Sequence, residues 1–421
     1  MIITIHRGAS QIGGSVVSVS AGNTKIALDA GNALETELPQ DKMRLLQELQ
    51  SCKDGIFLTH AHMDHSGLAA EVAGGIPIYS TVETSKMLMA SSIFANKKRI
   101  PIQLEQPLTI SGTIIVGDLS ITTLKVDHSI AGSAAFLIEH EGRRLLYTGD
   151  IRMHGLDKSR WVQDLVRKAS KPDALLIEGT NLSSGRSGEM ETEEDLHRRM
   201  REVIGKAPGA VLAHLTPQNT DRLLGLYRAC EDTGRTLVTD VYAAYILRLL
   251  RKQRRELPDP CKPNQRLKVW FNKSWLDKSA RFKGIEQKIN RPLRDNAIEL
   301  REVLAAPHKY VAIYRPSMLE LDYKRQLPQG VTLLYSMWSG YLERDPWQSS
   351  WASTKEAVNA AGGCITKLHT SGHIGIDDWK TLIMKLQPKS IIPIHTDMPA
   401  AYKWQAPNVR QTLDGEAIEI N

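Results

Sequence analysis

Along the first 150 residues, apolar and β-branched positions recur in short runs separated by glycine turns. MIITIH, SVVSVSAG, TKIALDAG, GIFLTH and IPIYST are such runs, followed by LTISGTIIVGDLSITTLKV, GSAAFLIEHEG and RRLLYTGD. Successive side chains of an extended backbone point to opposite faces, so this texture predicts β-strands. Apolar residues at three- and four-residue spacing predict helices at about 41–51, 66–73 and 82–96. From KPDALLIEGTN onward the texture changes. Strand-like GAVLAHL, RTLVTDV, KYVAIYR and VTLLYS alternate with longer helical patterns such as TDRLLGLYRACEDTG and VYAAYILRLLRKQRREL. That alternation predicts a parallel α/β unit. After about residue 350, GGCITKLHTSGH, a helix IDDWKTLIMKLQ and a strand SIIPIH return to the first texture. The chain therefore reads as a β-rich domain, 1–182 with 346–421, split by an inserted α/β domain over 183–345. No solenoid repeat and no low-complexity segment interrupts this pattern.

Composition narrows the class. With 421 residues, 42% hydrophobic and 24% charged, the chain is long enough for one large domain or two ordinary ones and is not of disordered type. Cys52, Cys230, Cys261 and Cys364 are scattered, which argues against a disulfide framework or a cysteine zinc site. The N-terminus lacks a signal-peptide pattern, and no run reaches the roughly 18 apolar residues of a membrane span. A soluble protein of a reducing cytoplasm is expected, with no membrane partner. The net charge of +7 is unevenly placed: residues 248–302 hold 16 Lys/Arg against 7 Asp/Glu. A polyanion-binding surface and a solvated helical face both fit that surplus.

The chemistry is concentrated in GIFLTHAHMDHSG, residues 55–67. His60 and His62 lie two apart at a strand end, so both imidazoles reach one point. Asp64 and His65 follow where the chain turns into a helix and can serve a neighbouring point. Imidazole and carboxylate are ligands for zinc and similar divalent ions. An isolated His-rich loop usually does nothing, but this density at the mouth of a buried strand is costly without an ion. Four ligands cannot close two sites. The candidates for the rest are His128, Asp150 and His395, each at the end of a strand-like run. His6, His140, His154, His197, His214 and His308 read as ordinary surface or core histidines.

The string HAHMDHSG resembles the signature of the metallo-β-lactamase fold hydrolases. IALDAG, with Asp29, resembles that family's first motif, and His128 and Asp150 stand in contexts like its third and fourth. LLIEGTN, LHTSGH and IPIHTD resemble the three motifs of the β-CASP nuclease subfamily, through Glu178, His373 and His395. TPQNTDRLLGLYRACEDTGRTLVTDVYAAYIL and SMWSGYL resemble ribonuclease J-like chains, so the likeness runs from near residue 1 to about 400. It implies an α/β fold, a metallo-β-lactamase αββα sandwich with an inserted α/β β-CASP domain. It implies two divalent ions, zinc first and manganese or iron as alternatives. His60, His62 and His128 would hold one ion, Asp64, His65 and His395 the other, and Asp150 would bridge. Asp29 and Glu178 would accept hydrogen bonds from ligand imidazoles. The implied activity is endo- or 5′-exonucleolytic cleavage of single-stranded nucleic acid, RNA in the first place, by a metal-bridging hydroxide. Asp64, His373 and Glu178 are the implied catalytic residues, with His373 as phosphate donor or general acid. Ser371, Gly372 and His373 would bind phosphate, and His369 is a further candidate. Trp270, Phe271 and Trp275 are candidate stacking faces or core residues.

The chain also departs from the family pattern. Gly179 replaces a usual serine, Ile374 a usual alanine, and Thr396–Asp397 a usual Gly-Glu, which bears on terminal-phosphate recognition. No further C-terminal domain of the kind that supports oligomerisation in that family is expected; a homodimer stays open. Three other readings fit the same ligands: a hydrolase of a small ester, lactone or thioester, a DNA-directed nuclease, and a non-catalytic metal-containing nucleic-acid-binding subunit. The basic segment and SGH motif weigh against the first. The presence of all seven candidate ligands weighs against the last.

Overall fold

The computed structural model describes residues 1–420 apart from 73, 183–189, 264–265, 283 and 344–346, and the statements below concern those residues. Two compact units emerge, Met1–Met190 with Ser371–Asn421, and Glu191–Thr370. In the first, a seven-stranded sheet runs in the order Ala417–Glu419, Ile2–Arg7, Val16–Ala21, Thr24–Leu28, Gly55–Phe57, Ile78–Thr81, Glu105–Leu108. A six-stranded sheet runs Ser390–Ile394, Ala174–Glu178, Arg143–Tyr147, Ala134–His140, Leu119–Lys125, Thr113–Val116. Alternation decides how they pack. Ile3, Ile5, Val17, Val19, Ile26 and Leu28 of one sheet share a buried core with Phe136, Ile138, Leu145 and Leu176 of the other.

The opposite faces are covered by helices. Leu45 and Leu49, four apart on the helix Pro39–Ser51, pack with Ala27 and Ile56. Trp161 and Leu165 of the helix Lys158–Ala169, and Trp379, Leu382 and Leu386 of the helix Ile376–Leu386, cover Leu137, Leu146 and Leu175. The result is the expected αββα sandwich. Parallel pairing places strand ends side by side: Ala174–Glu178 lies between Arg143–Tyr147 and Ser390–Ile394. Asp150, Glu178 and His395 are therefore neighbours, because ligand sites in such sheets form at the carboxyl ends of parallel strands.

The second unit is a seven-stranded, wholly parallel sheet. Its order is Ala297–Ile298, Leu267–Trp270, Thr236–Asp240, Tyr310–Ile313, Val211–His214, Thr332–Tyr335, Cys364–Lys367. Leu212, Val238, Trp270, Tyr314, Leu333 and Val358 are among its core residues. Thr192 and Asp195 form a reciprocal cap at the start of the helix Glu193–Lys206.

Several expectations need correction. The junctions at 182/183 and 345/346 involve residues outside the described set. Even so, Trp347–Ala360 and Cys364–Lys367, expected in the metallo-domain, lie in the second unit, where Cys364–Lys367 pairs with Thr332–Tyr335. The helix expected at 66–73 is instead the single turn Met63–Ser66 followed by turns. The carbonyls of Met63 and His65 bond to Asn32 and Ala30 across the fold. The long helix expected to reach Leu257 stops at Leu250. Beyond it, four cations crowd into residues 251–255, and Arg254 turns aside to Asp221 at 2.6 Å. Trp270 and Trp275 are 4% and 5% exposed and belong to the interior, so they offer no stacking face. No helix among the described residues is long and apolar enough to cross a membrane.

Candidate metal centre

The site is assembled from strand ends. The chain leaves Gly55–Phe57 through Thr59 and presents His60, His62 and then the turn carrying Asp64 and His65. His60 Nε2 lies 3.1 Å from His62 Nδ1, and His128 Nε2 lies 3.1 Å from that same atom. Beside this trio, Asp64, His65, Asp150 and His395 direct ligand atoms within 4.8 Å of one another. His395 Nε2 is 3.3 Å from Asp64 Oδ2, and His65 Nε2 is 3.2 Å from Asp150 Oδ2. Asp150 Oδ2 also stands 3.8 Å from His60, 3.7 Å from His128 and 3.7 Å from His395. It belongs to the second group and also approaches two members of the first. The seven ligand candidates chosen from the sequence are thus together.

The outward ring nitrogens fix the tautomers. His128 Nδ1 donates to the Gly372 carbonyl at 2.5 Å, and His65 Nδ1 to Asp29 Oδ2 at 2.7 Å. The Thr59 hydroxyl donates to Asp29, so it accepts from His60 Nδ1 at 3.0 Å. Thr180 Oγ1 is 2.8 Å from His395 Nδ1. Where Nδ1 donates and the ring is neutral, the Nε2 lone pair faces inward. Asp29 is buried and also accepts from Tyr147 Oη and the Thr59 amide, both at 2.7 Å.

Electrostatics separate the two groups. Burial lowers the pKa of His60 and His128, and that of His62 to about 4, leaving neutral imidazoles. Burial opposes ionisation of Asp150 and Asp64, yet nearby histidines, His395 and His65 foremost, hold both below the usual carboxylate range. His65 Nε2 and Asp150 Oδ1 are buried without a hydrogen bond, despite the close approach of His65 to the other Asp150 oxygen. Burial opposes protonation of His65, but Asp150 and Asp29 raise its pKa. The neutral imidazoles of the first group, the ionised carboxylates and the orphaned inward atoms fit divalent cations. The donor chemistry therefore supports divalent metal binding.

Glu178 behaves differently from expectation. It is fully buried and accepts the Ile151 amide at 3.0 Å, but its imidazole partner is His373, not one of the seven candidate ligands. His373 Nδ1 lies 3.0 and 3.1 Å from its two oxygens and 3.7 Å from Asp150. Burial opposes protonation of His373, but Glu178 and Asp150 raise its pKa to about 9. The Ser371 hydroxyl accepts from Asn181 Nδ2 and from the His373 amide, both at 3.1 Å. The backbone amides of Ser371 and Gly372 carry no hydrogen bond among the described residues. A Cβ on Gly372 would stand 2.7 Å from Ser129 Oγ and 3.1 Å from His128 Cε1, so glycine permits the approach to that ring.

Thr59, Tyr147, Thr180 and Asn181 complete the site without having been singled out. Thr59 adjoins His60 in the chain, and Thr180 and Asn181 lie within the string LLIEGTN, which are the sequence signals that mark them. His154, read as ordinary, is buried and contacts the Ser371 carbonyl at 2.6 Å. The departures have packing causes. The Tyr402 ring occupies the place of a Cβ on Gly179, and Ile374 joins the core with Trp379. Thr396 is buried, with its hydroxyl accepting the Met398 amide at 3.2 Å.

Known proteins resemble this chain in sequence and in fold. A beta-lactamase superfamily domain matches residues 24–218. A probable RNase MJ4 of Methanocaldococcus jannaschii is 25% identical over 228 residues, 49% of this chain and 52% of that protein. A ribonuclease J of Helicobacter pylori is 20% identical over 446 residues, 99% of this chain and 60% of that protein. An Integrator complex subunit 11 homolog of Dictyostelium discoideum is 28% identical over 246 residues, 50% and 31% of the two chains. The chain spans from a third to three fifths of the length of the curated relatives it matches first. A crystal structure of a protein of unknown function from Enterococcus faecalis shares the fold, with a TM-score of 0.76, 22% identity and 99% coverage of both chains.

Proposed function

We propose that this chain, a ribonuclease J-like member of the metallo-β-lactamase superfamily, hydrolyses phosphodiester bonds in single-stranded nucleic acid, RNA in the first place. The observation that carries the reading is the convergence of His60, His62 and His128 beside Asp64, His65, Asp150 and His395, with Asp150 Oδ2 also within 3.8 Å of His60 and 3.7 Å of His128. The first three would hold one ion, Asp64, His65 and His395 a second, and Asp150 would serve both. Zinc suits this nitrogen-rich set. Ions bound there supply Lewis acidity and acidify water near neutral pH.

The protein's own groups do the rest. Asp29, Thr59, Thr180 and the Gly372 carbonyl hold the imidazoles in one tautomer and orientation. Glu178 holds His373 through Nδ1, which leaves Nε2–H for the scissile phosphate or the leaving oxygen. The Ser371 and Gly372 amides are donors for phosphate oxygens. The surplus of cations in residues 248–302 supports attraction of a polyanion. The Arg254–Asp221 ion pair, whose carboxylate lies outside that segment, offsets part of it.

The test compares single-stranded RNA, single-stranded DNA, a generic phosphodiester and a lactone, with and without chelator. Chelator-sensitive cleavage of RNA is expected, with about two zinc ions per chain. His65→Ala or Asp150→Asn should abolish cleavage and leave strand binding. Hydrolysis of the lactone alone, or cleavage indifferent to chelator, would sink the reading.

A further inference from the structure

The inserted unit carries a second feature. Trp161, Trp270, Trp275 and Trp379 are at most 5% exposed, whereas Trp338 is 45% and Trp347 51% exposed. Both belong to one cluster with Tyr341. The Trp338 and Tyr341 rings meet edge to face at 5.4 Å, and the Tyr341 and Trp347 rings lie 5.0 Å apart at 60°. The ring contacts make the exposed apolar surface contiguous, the kind of surface that can mark an interaction site.

The cluster is anchored. Tyr335 ends the strand Thr332–Tyr335 and donates its hydroxyl to the Trp338 carbonyl at 3.0 Å. The Tyr335 ring packs on Trp351 at 4.7 Å and stacks with His214 at 5.6 Å. The Trp338 indole lies over Gly340, where any Cβ would run into the ring. The rings thus follow the carboxyl end of a parallel strand, where open α/β sheets bind ligands. Exposed Lys367 stands opposite Tyr335 in the register of the adjoining strand and supplies positive charge at that edge.

We propose that Trp338, Tyr341 and Trp347 form a stacking platform for unpaired bases of a single-stranded nucleic acid. Flat, rigid aromatic faces beyond a strand end, with a lysine on the adjoining strand, match a base joined to a phosphate and impose little sequence preference. The proposal rests on the nuclease reading for its choice of ligand, while its own residues lie outside the candidate metal centre.

The test uses the full metal-loaded chain and cleavage-resistant phosphorothioate decamers of riboadenosine and deoxyadenosine, plus an abasic decamer of the same backbone. Trp338→Ala and Trp347→Ala should each weaken binding of the base-bearing strands about tenfold, as loss of one stacked base does. Affinity for the abasic strand and hydrolysis of bis(p-nitrophenyl) phosphate should not change. Trp338→Phe should retain most of the affinity, and circular dichroism should show folded protein. Ribo- and deoxyribo-strands responding alike places recognition on the bases, and a response from one alone assigns the platform to that sugar. No binding by the parent chain, equal losses on the abasic strand, or unchanged affinity in folded variants would overturn the platform. If intact RNA is not cleaved but the ring-dependent binding persists, the nuclease reading fails and the platform stands.

Discussion

His373 and Glu178 are locked together, with the imidazole Nδ1 3.0 and 3.1 Å from the two oxygens of a fully buried carboxylate. The carboxylate fixes the ring plane; burial opposes protonation of the ring, and Glu178 together with Asp150 outweighs it. Glu178→Gln preserves shape and removes the charge. Cleavage should fall roughly a hundredfold, within the range for positioned acid–base groups. Metal content measured on the same sample should stay unchanged. A loss of metal would instead place Glu178 among the ligands.

Asp29 receives His65, Tyr147, the Thr59 amide and the Thr59 hydroxyl on one buried carboxylate. Asp29→Asn replaces an acceptor oxygen by a donor and forces at least one of these groups to turn. Metal affinity, followed by chelator competition, should fall by about 10- to 100-fold, the usual cost of losing the group behind a ligand imidazole.

At Gly372 the constraint is steric. An added methyl would press on Ser129 and on the His128 ring, which is itself tied to the Gly372 carbonyl. Gly372→Ala should lower kcat by about a hundredfold, as an ångström-scale misplacement can. Its thermal midpoint should move little. A large drop in the midpoint with kcat preserved would refute this account.

Arg222 is a structural matter. Its guanidinium is buried, meets Glu193 at 2.8 and 3.0 Å and donates to the Ser336 hydroxyl at 2.6 Å. Arg222→Met strands the Glu193 carboxylate in the interior, which costs about 3–5 kcal/mol. Thermal unfolding should register the loss, and the double change Arg222→Met with Glu193→Leu should recover much of it.

His214 makes the inserted unit acid-sensitive. Burial pushes its pKa down to about 4, against about 6.5 for an ordinary histidine. The unfolded chain therefore takes up the proton first. Stability from the neutral ring is complete above about pH 6.5 and is lost as the pH falls towards 4. His214→Gln should flatten that part of the profile of thermal midpoint against pH; an identical slope would contradict the assignment.

Much of this was legible in the chain, for physical reasons that also mark the limit. His60 and His62 announce themselves because alternation on a strand converts sequence spacing directly into a shared direction. Distant His128, Asp150 and His395 were traceable because each ends an apolar run. Thr180, Tyr147 and Asn181 are single polar residues whose roles exist only after the strands are paired. Asp29 and His395 both have left-handed backbone, φ 59° and 54°, which no side-chain pattern reveals. The strand Cys364–Lys367 resembled the metallo-domain in texture, and only its partner Thr332–Tyr335 assigns it to the insert.

The parallel pairing of Ser390–Ile394 with Ala174–Glu178 has a consequence for biosynthesis. More than 200 residues, including the whole insert, must leave the ribosome between these two neighbours. Until residue 395 emerges, the nascent chain can present the three-histidine cluster but not the full carboxylate-rich one. Completion of the second group is therefore a late event in the life of the polypeptide. It makes the finished ligand set a chemical report that the insert has been made and the strand beyond it has docked.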